Sequence, residues 1–166
     1  LNAAKTLSLI HAIPIVPVNH LYAHLEAIHL TQTVSYPYLG LLVSGGHSIY
    51  FLVKDELNFE VLGSTIDDAA GEAFDKGGKL LGLGYPAGHL IDQLSQWGDP
   101  LKYEFPIGLK SSADSRLSYS GLKTSLRVLL EKNPGHALLN FTPHSSPKEE
   151  FQFLYDLAAS YQHAIV

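Results

Sequence analysis

The chain has 166 residues, 46% of them apolar and 16% charged, with a net charge of −5 and no cysteine. That composition suits a folded domain with a real core and excludes a disordered segment, a strongly cationic nucleic-acid module, a disulfide framework and any thiolate metal site. No apolar run is long enough to span a bilayer and no signal peptide is visible, so a cytoplasmic home is expected.

Both ends read as cut: the chain starts at Leu1 without any Met, and the helical apolar period from Phe151 to Val166 stops with no C-cap signal. Asn2 to His11 fits a short helix packing through Ala4, Leu7, Ser8 and Ile10. Ile13 to Val18 reads as a buried strand with Pro14 and Pro17 at its edges. Asn19 is placed to cap a helix through about Leu30. Beyond Pro37, Tyr38 to Val43 and Ser48 to Val53 read as strands paired across a Gly-Gly turn, and Phe59 to Leu62 as a third strand.

Thr65, with Asp68 three residues on, reads as a capping box opening a long helix. The buried stripe of that helix is Ala70, Ala73, Phe74, Gly77, Leu80 and Leu81, and Gly82 to Pro86 stops it. His89 to Gln96 is a short amphipathic helix, and Asp99 to Ser118 is mostly irregular. Tyr119 to Glu131 is helical with Ser118 or Ser120 as its cap, Lys132 to Ser146 is loop, and Pro147 opens the last helix. The order is that of an α/β domain.

Three segments carry chemistry. His20 and His24 lie one helical turn apart, a spacing that lets two neutral imidazoles share a zinc or iron ion and equally describes two packing histidines. His29 falls on the opposite face, and Leu21 stands where a His-Glu-x-x-His metalloprotease needs Glu. Ser44-Gly45-Gly46 can form an anion nest or an ordinary hairpin turn, with His47 in reach of a ligand or facing solvent. Asp68, Glu72, Asp75 and Lys79 line one helix edge, either as solvated pairs (Glu72 with Lys76, Asp75 with Lys79) or as ligand contacts. Gly71, Gly77 and Gly78 in the same helix point to close packing or close ligand approach. Asp75 could then accept ribose hydroxyls, Gly88 could let backbone meet a base or sugar, and Asp92 could add a hydroxyl contact. Ser118 to Thr124 is a helix start in which Lys123 could face a phosphate.

These segments resemble, in order and across nearly the whole chain, the TsaD (Gcp) family of tRNA N6-adenosine threonylcarbamoyltransferases, once described as O-sialoglycoprotein endopeptidases. The likeness rests on Pro17 to His24, Leu42 to His47, Ser64 to Lys76, Lys79 to Leu83, Tyr85 to Gly88 and Ser118 to Thr124, and Asp67 to Lys76 is its most specific stretch. The resemblance implies a two-lobed actin-like ATPase fold of the α/β class (ASKHA, RNase H-like). Residues 1–36 would then end the first lobe and 37–166 begin the second. It implies transfer of threonylcarbamoyl from threonylcarbamoyl-AMP to the exocyclic amine of the adenosine beside the anticodon, in tRNAs reading codons that start with A.

By the same resemblance His20 and His24 bind iron or zinc. Leu42, Val43, Ser44, Gly45 and Gly46 form the substrate loop, and Asp75, Gly88 and Asp92 bind the adenylate. TsaB- and TsaE-type proteins are the implied partners. The family's N-terminal Gly-Ile-Glu-Thr-Ser-Cys-Asp strand, its C-terminal Gly-Gly-Val-x-Ala-Asn segment and its last metal-binding Asp are absent. The chain is therefore expected to be inactive alone. Ala87 stands for a usual Gly, His89 for a usual Pro, and Leu117 and Tyr119 for a Phe pair. Other readings are a non-catalytic scaffold subunit of the same complex and a sugar-kinase or chaperone-type ATPase; the histidine pair argues against both.

Overall fold

A computed structural model describes residues 1–134 and 147–166. The loop expected over Lys132 to Ser146 falls, from residue 135 onward, outside the described residues.

Asn2–His11 forms a helix (α1), as its sequence predicts, and ends on Ala12 in the left-handed region at φ 51°. Among the described residues none of this helix is buried, so the packing face expected through Ala4, Leu7, Ser8 and Ile10 is not covered. The buried strand expected over Ile13 to Val18 is also absent. That stretch is exposed, with Val16 79% and Val18 65% accessible, and has no sheet partner among the described residues. Two prolines remove ladder donors there, and an extended apolar run becomes a strand only when another strand accepts it.

His20–Glu26 (α2) follows, continued by a 3₁₀ turn over Ala27–Leu30. Asn19 caps it as expected, its Oδ1 accepting the Leu21 and Tyr22 backbone N–H groups at 2.9 and 3.1 Å. The strands Tyr38–Val43 (β1), Ser48–Val53 (β2) and Phe59–Ser64 (β3) form an antiparallel sheet in the order β1-β2-β3. The first pair runs in register from Tyr38 opposite Val53 to Val43 opposite Ser48. Helix α2 lays Leu25 onto one face of this sheet, where it is buried with Phe51 and Val53 and flanked by Leu21, Leu42 and Ile49. Tyr22 stacks on Phe59, and its hydroxyl donates to the Glu56 carbonyl, so α2 is fastened to the β2–β3 hairpin.

The helices Ala70–Leu80 (α3), Gly88–Ser95 (α4), Ser120–Lys132 (α5) and Gln152–Ile165 (α6) make the main core. Helix α6 is its centre, with every residue from Leu154 to Tyr161 buried among Ala73, Leu81, Ile91, Leu122 and Leu126. Its polar residues hold the irregular stretch after α4. Asp156 accepts the Asp99 N–H at 2.9 Å, and Ser160 Oγ accepts the Tyr103 N–H at 3.1 Å. The last helix does not open at Pro147; a 3₁₀ turn over Glu149–Phe151 precedes α6.

Helices α3 and α5 begin differently from what their local sequence predicts. Helix α3 starts at Ala70, not Thr65. Thr65 Oγ1 instead donates to the Asp68 carbonyl at 2.5 Å, and residues 64–66 run beside Leu117. The Ala70 N–H is capped from β2, by the fully buried Ser48 Oγ at 2.9 Å. Helix α5 is capped neither by Ser118 nor by Ser120. The Asp67 carboxylate accepts the Tyr119 and Ser120 N–H groups at 2.8 and 3.3 Å and the Ser118 and Ser120 hydroxyls at 2.6 and 2.8 Å. Both caps come from side chains remote in sequence, which a local capping pattern does not reveal.

Candidate functional site

The turn from β1 to β2 is Ser44-Gly45-Gly46-His47. The Ser44 N–H donates to the His47 carbonyl at 2.8 Å, and Ser44 Oγ accepts the Gly46 and His47 N–H groups at 3.3 and 3.0 Å. The serine oxygen therefore shapes the turn from within. Gly45 and Gly46 face open space, as a side chain built on either would meet no atom within 4 Å. Helix α3 packs under this turn at Gly71, whose N–H donates to the Ser44 carbonyl at 3.3 Å. A Cβ at Gly71 would lie 2.7 Å from that oxygen and 2.8 Å from Gly45 Cα, so only glycine lets the helix approach so closely. The other two helix glycines serve the core, Gly77 against the Tyr161 ring and Gly78 against Ala87.

Between the turn and α3 lies a cavity of about 700 Å³ lined by Gly45, Glu72, Asp75, Lys76, Lys79, Gly82, Gly84 and Tyr85. Its charges are ordered. Lys76 bridges Asp68 at 2.6 Å and Glu72 at 2.9 Å, which holds the ammonium above the usual lysine range. The same contact lowers the Glu72 carboxyl. Asp75 does not pair with Lys79 as one sequence reading has it. Its Oδ1 accepts the Ala87 N–H at 2.9 Å and so ties the loop after α3 back to the helix.

The Asp67 carboxyl, which caps α5, is pulled down from its ordinary 3.8 to about 2. Partial burial pushes it up, and the donors Ser118, Tyr119, Ser120 and Asp68 together outweigh that and pull it down.

On the other side of the turn, the His20 and His24 rings meet edge to face with centroids 4.6 Å apart, and His47 lies 6.0 Å from His20. His20 and His24 are exposed, and neither ring takes part in a hydrogen bond among the described residues. Two free imidazoles at this separation fit the donor set of a zinc or iron ion. Among the described residues no third His, Asp or Glu joins them in a metal-holding group. His29 points away, bonding Tyr36 Oη at 3.1 Å through Nε2.

Of the residues expected to bind substrate, Gly45 and Asp75 line the cavity. Leu42 instead packs beside Leu25, Val43 is exposed, and Ser44 holds the turn. Gly88 and Asp92 are outside that lining: Gly88 lies near Phe74, and Asp92 Oδ1 accepts Gln162 Nε2 at 3.0 Å. The structure adds Glu72, Lys76, Lys79 and Tyr85 to the cavity wall. The i, i+4, i+7 spacing of Glu72, Lys76 and Lys79 was the available signal for the first three. Tyr85 had none beyond its place in the loop.

An antiparallel sheet whose glycine turn borders, with an acidic helix, one charged cavity, and which carries two imidazoles beside the turn, defines a mixed α/β protein. Within that class the chain belongs to the TsaD family, described as tRNA N6-adenosine threonylcarbamoyltransferase, whose family model matches residues 1–166. It is similar to proteins of that name from Anaeromyxobacter dehalogenans (47% identity, 99% of this chain and 46% of the relative). The same holds for Geotalea uraniireducens (42%, 99% and 45%) and Chlorobium limicola (42%, 93% and 44%). The chain spans about half the length of the curated relatives it matches. Among the described residues no helix is long and apolar enough to cross a membrane.

Proposed function

We propose that this chain contributes the loop, the acidic helix and the histidine pair of a tRNA N6-adenosine threonylcarbamoyltransferase. The proposed whole is an actin-like, two-lobed protein, with residues 1–36 closing one lobe and 37–166 opening the other. The observation that carries the reading is one continuous path: the His24, His20 and His47 rings in series, the turn that ends at His47, and the cavity lined by Gly45 and Asp75.

In this reading threonylcarbamoyl-AMP lies in the cavity. The turn's backbone faces its phosphate, and Asp75 accepts a ribose hydroxyl with the oxygen left over from Ala87. Gly88 and Asp92 support the loop and helix behind that contact. The N6 amine of the tRNA adenosine attacks the carbamoyl carbon, the bond from that carbon to the phosphate oxygen breaks, AMP leaves with the electron pair, and the N6 proton passes to solvent. His20 and His24 would hold one iron or zinc ion, which when bound supplies a Lewis acid to orient and polarise the carbamoyl group. Lys76, locked between two carboxylates, keeps the cavity floor rigid, and the close seat of Gly71 fixes the turn's height over α3. TsaB- and TsaE-type proteins are the partners, and the cytoplasm is the compartment.

The test is transfer of labelled threonylcarbamoyl to tRNA by the full protein, with the adenylate and partner proteins supplied. Asp75→Asn should raise the KM for the adenylate at least about tenfold. An unchanged KM would remove Asp75 from the site.

A further inference from the structure

We propose that Tyr85 is the stacking surface for the base of a nucleotide in the cavity, and that Lys79 is the cation pairing with its anionic group. This rests on the transferase reading above and assigns two residues for which the family likeness gave no role.

Tyr85 stands on the cavity wall with 83% of its surface exposed, and among the described residues its ring and hydroxyl have no partner. Its position is nonetheless constrained. Gly82 and Gly84 hold the backbone before it at φ 72° and 84°, Pro86 follows directly, and the Ala87 N–H is bonded to Asp75. An aromatic ring held at a cavity wall and left in water contributes nothing to the core, yet offers a π face to a planar ligand.

Lys79 complements it. Both cavity lysines come from α3, but Lys76 is held by Asp68 and Glu72, whereas Lys79 has no carboxylate partner among the described residues. Asp75, the nearest acid in the same helix turn, is engaged with the Ala87 N–H. Lys79 is therefore the cavity cation left to meet an incoming anion. An aromatic face, an unpaired ammonium and a carboxylate around one cavity match a nucleoside monophosphate unit: base, phosphate and ribose hydroxyl.

The experiment is calorimetric titration of the full protein with AMP, adenosine and inorganic phosphate as probes. Tyr85→Ala should weaken AMP and adenosine alike, by about tenfold, and Tyr85→Phe should restore both. Lys79→Gln should weaken AMP and leave adenosine unchanged. Both side chains are exposed, so melting temperatures should match wild type; a lowered melting temperature with unchanged affinity would make either residue structural and overturn its assignment. Wild-type AMP affinity in Tyr85→Ala, alongside a loss in Asp75→Asn, would overturn the stacking role and leave the transferase reading standing. Equal weakening of AMP and adenosine in Lys79→Gln would overturn the anion role. Absence of AMP binding to wild type would overturn both this proposal and the reading beneath it.

Discussion

The remote cap on α5 can be tested quantitatively through Asp67. Its carboxylate takes four donors from Ser118, Tyr119 and Ser120 and a fifth from the Asp68 N–H at 2.7 Å. Replacing a helix cap with alanine costs about 1 kcal/mol. The depression of Asp67 from 3.8 to about 2 corresponds to about 2.4 kcal/mol if unscreened, but Asp67 is exposed, so roughly half or less survives. The two figures describe the same contacts and are not summed. Asp67→Ala should therefore destabilise by about 1–2 kcal/mol, which at about 2 kcal/mol per molar urea moves the midpoint down by roughly 0.7 M.

Asp67→Asn keeps one acceptor oxygen and should lose about half as much. The sign with pH follows from the depressed carboxyl. Its stabilisation is complete above the unfolded value of 3.8 and is lost as pH falls through about 2. The gap between wild type and Asp67→Asn should accordingly be widest near neutral pH and close over that window. A midpoint for Asp67→Ala equal to wild type, or a gap that does not change with pH, would refute the capping account.

Three further expectations use other parts of the structure. Gly71→Ala places a methyl against the Ser44 carbonyl and should lift the turn off α3, raising the KM for the adenylate more than it lowers the melting temperature; the reverse pattern would make Gly71 a packing residue only. Gly78→Ala would overlap the Ala87 side chain and should destabilise by about 1–3 kcal/mol in urea titrations, with no change there counting against the packing of α3 on α4. Leu157→Ala, at a fully buried point of α6, should cost about 2–5 kcal/mol by the same measurement, and a loss under 1 kcal/mol would displace α6 from the centre of the core.

Patterns that depend on near neighbours were legible in the sequence. The β1–β2 hairpin reads directly from two alternating apolar runs around Gly-Gly, and Asn19 caps α2 because its side chain reaches N–H groups two and three residues ahead. The buried stripe of α3 followed from its period, although its start did not. Ser48 caps Ala70 across 22 positions, and Asp67 caps α5 across 52 and 53, so neither lies within a capping motif's reach. Ile13 to Val18 has a strand's composition, but composition does not supply the neighbouring strand. At the site, the histidine pair and Asp75 were legible as residue types at a spacing. The third ring of His47 and the cavity face of Tyr85 arise only once the hairpin and the loop after α3 are folded.

The most direct test of the central claim is metal content of the purified full protein, wild type beside His20→Ala/His24→Ala, read together with threonylcarbamoyl transfer to tRNA with adenylate and partners supplied. Wild type should carry iron or zinc near one equivalent, and the double variant should lose both metal and transfer. Full transfer after removal of both imidazoles would contradict that claim and make the pair structural.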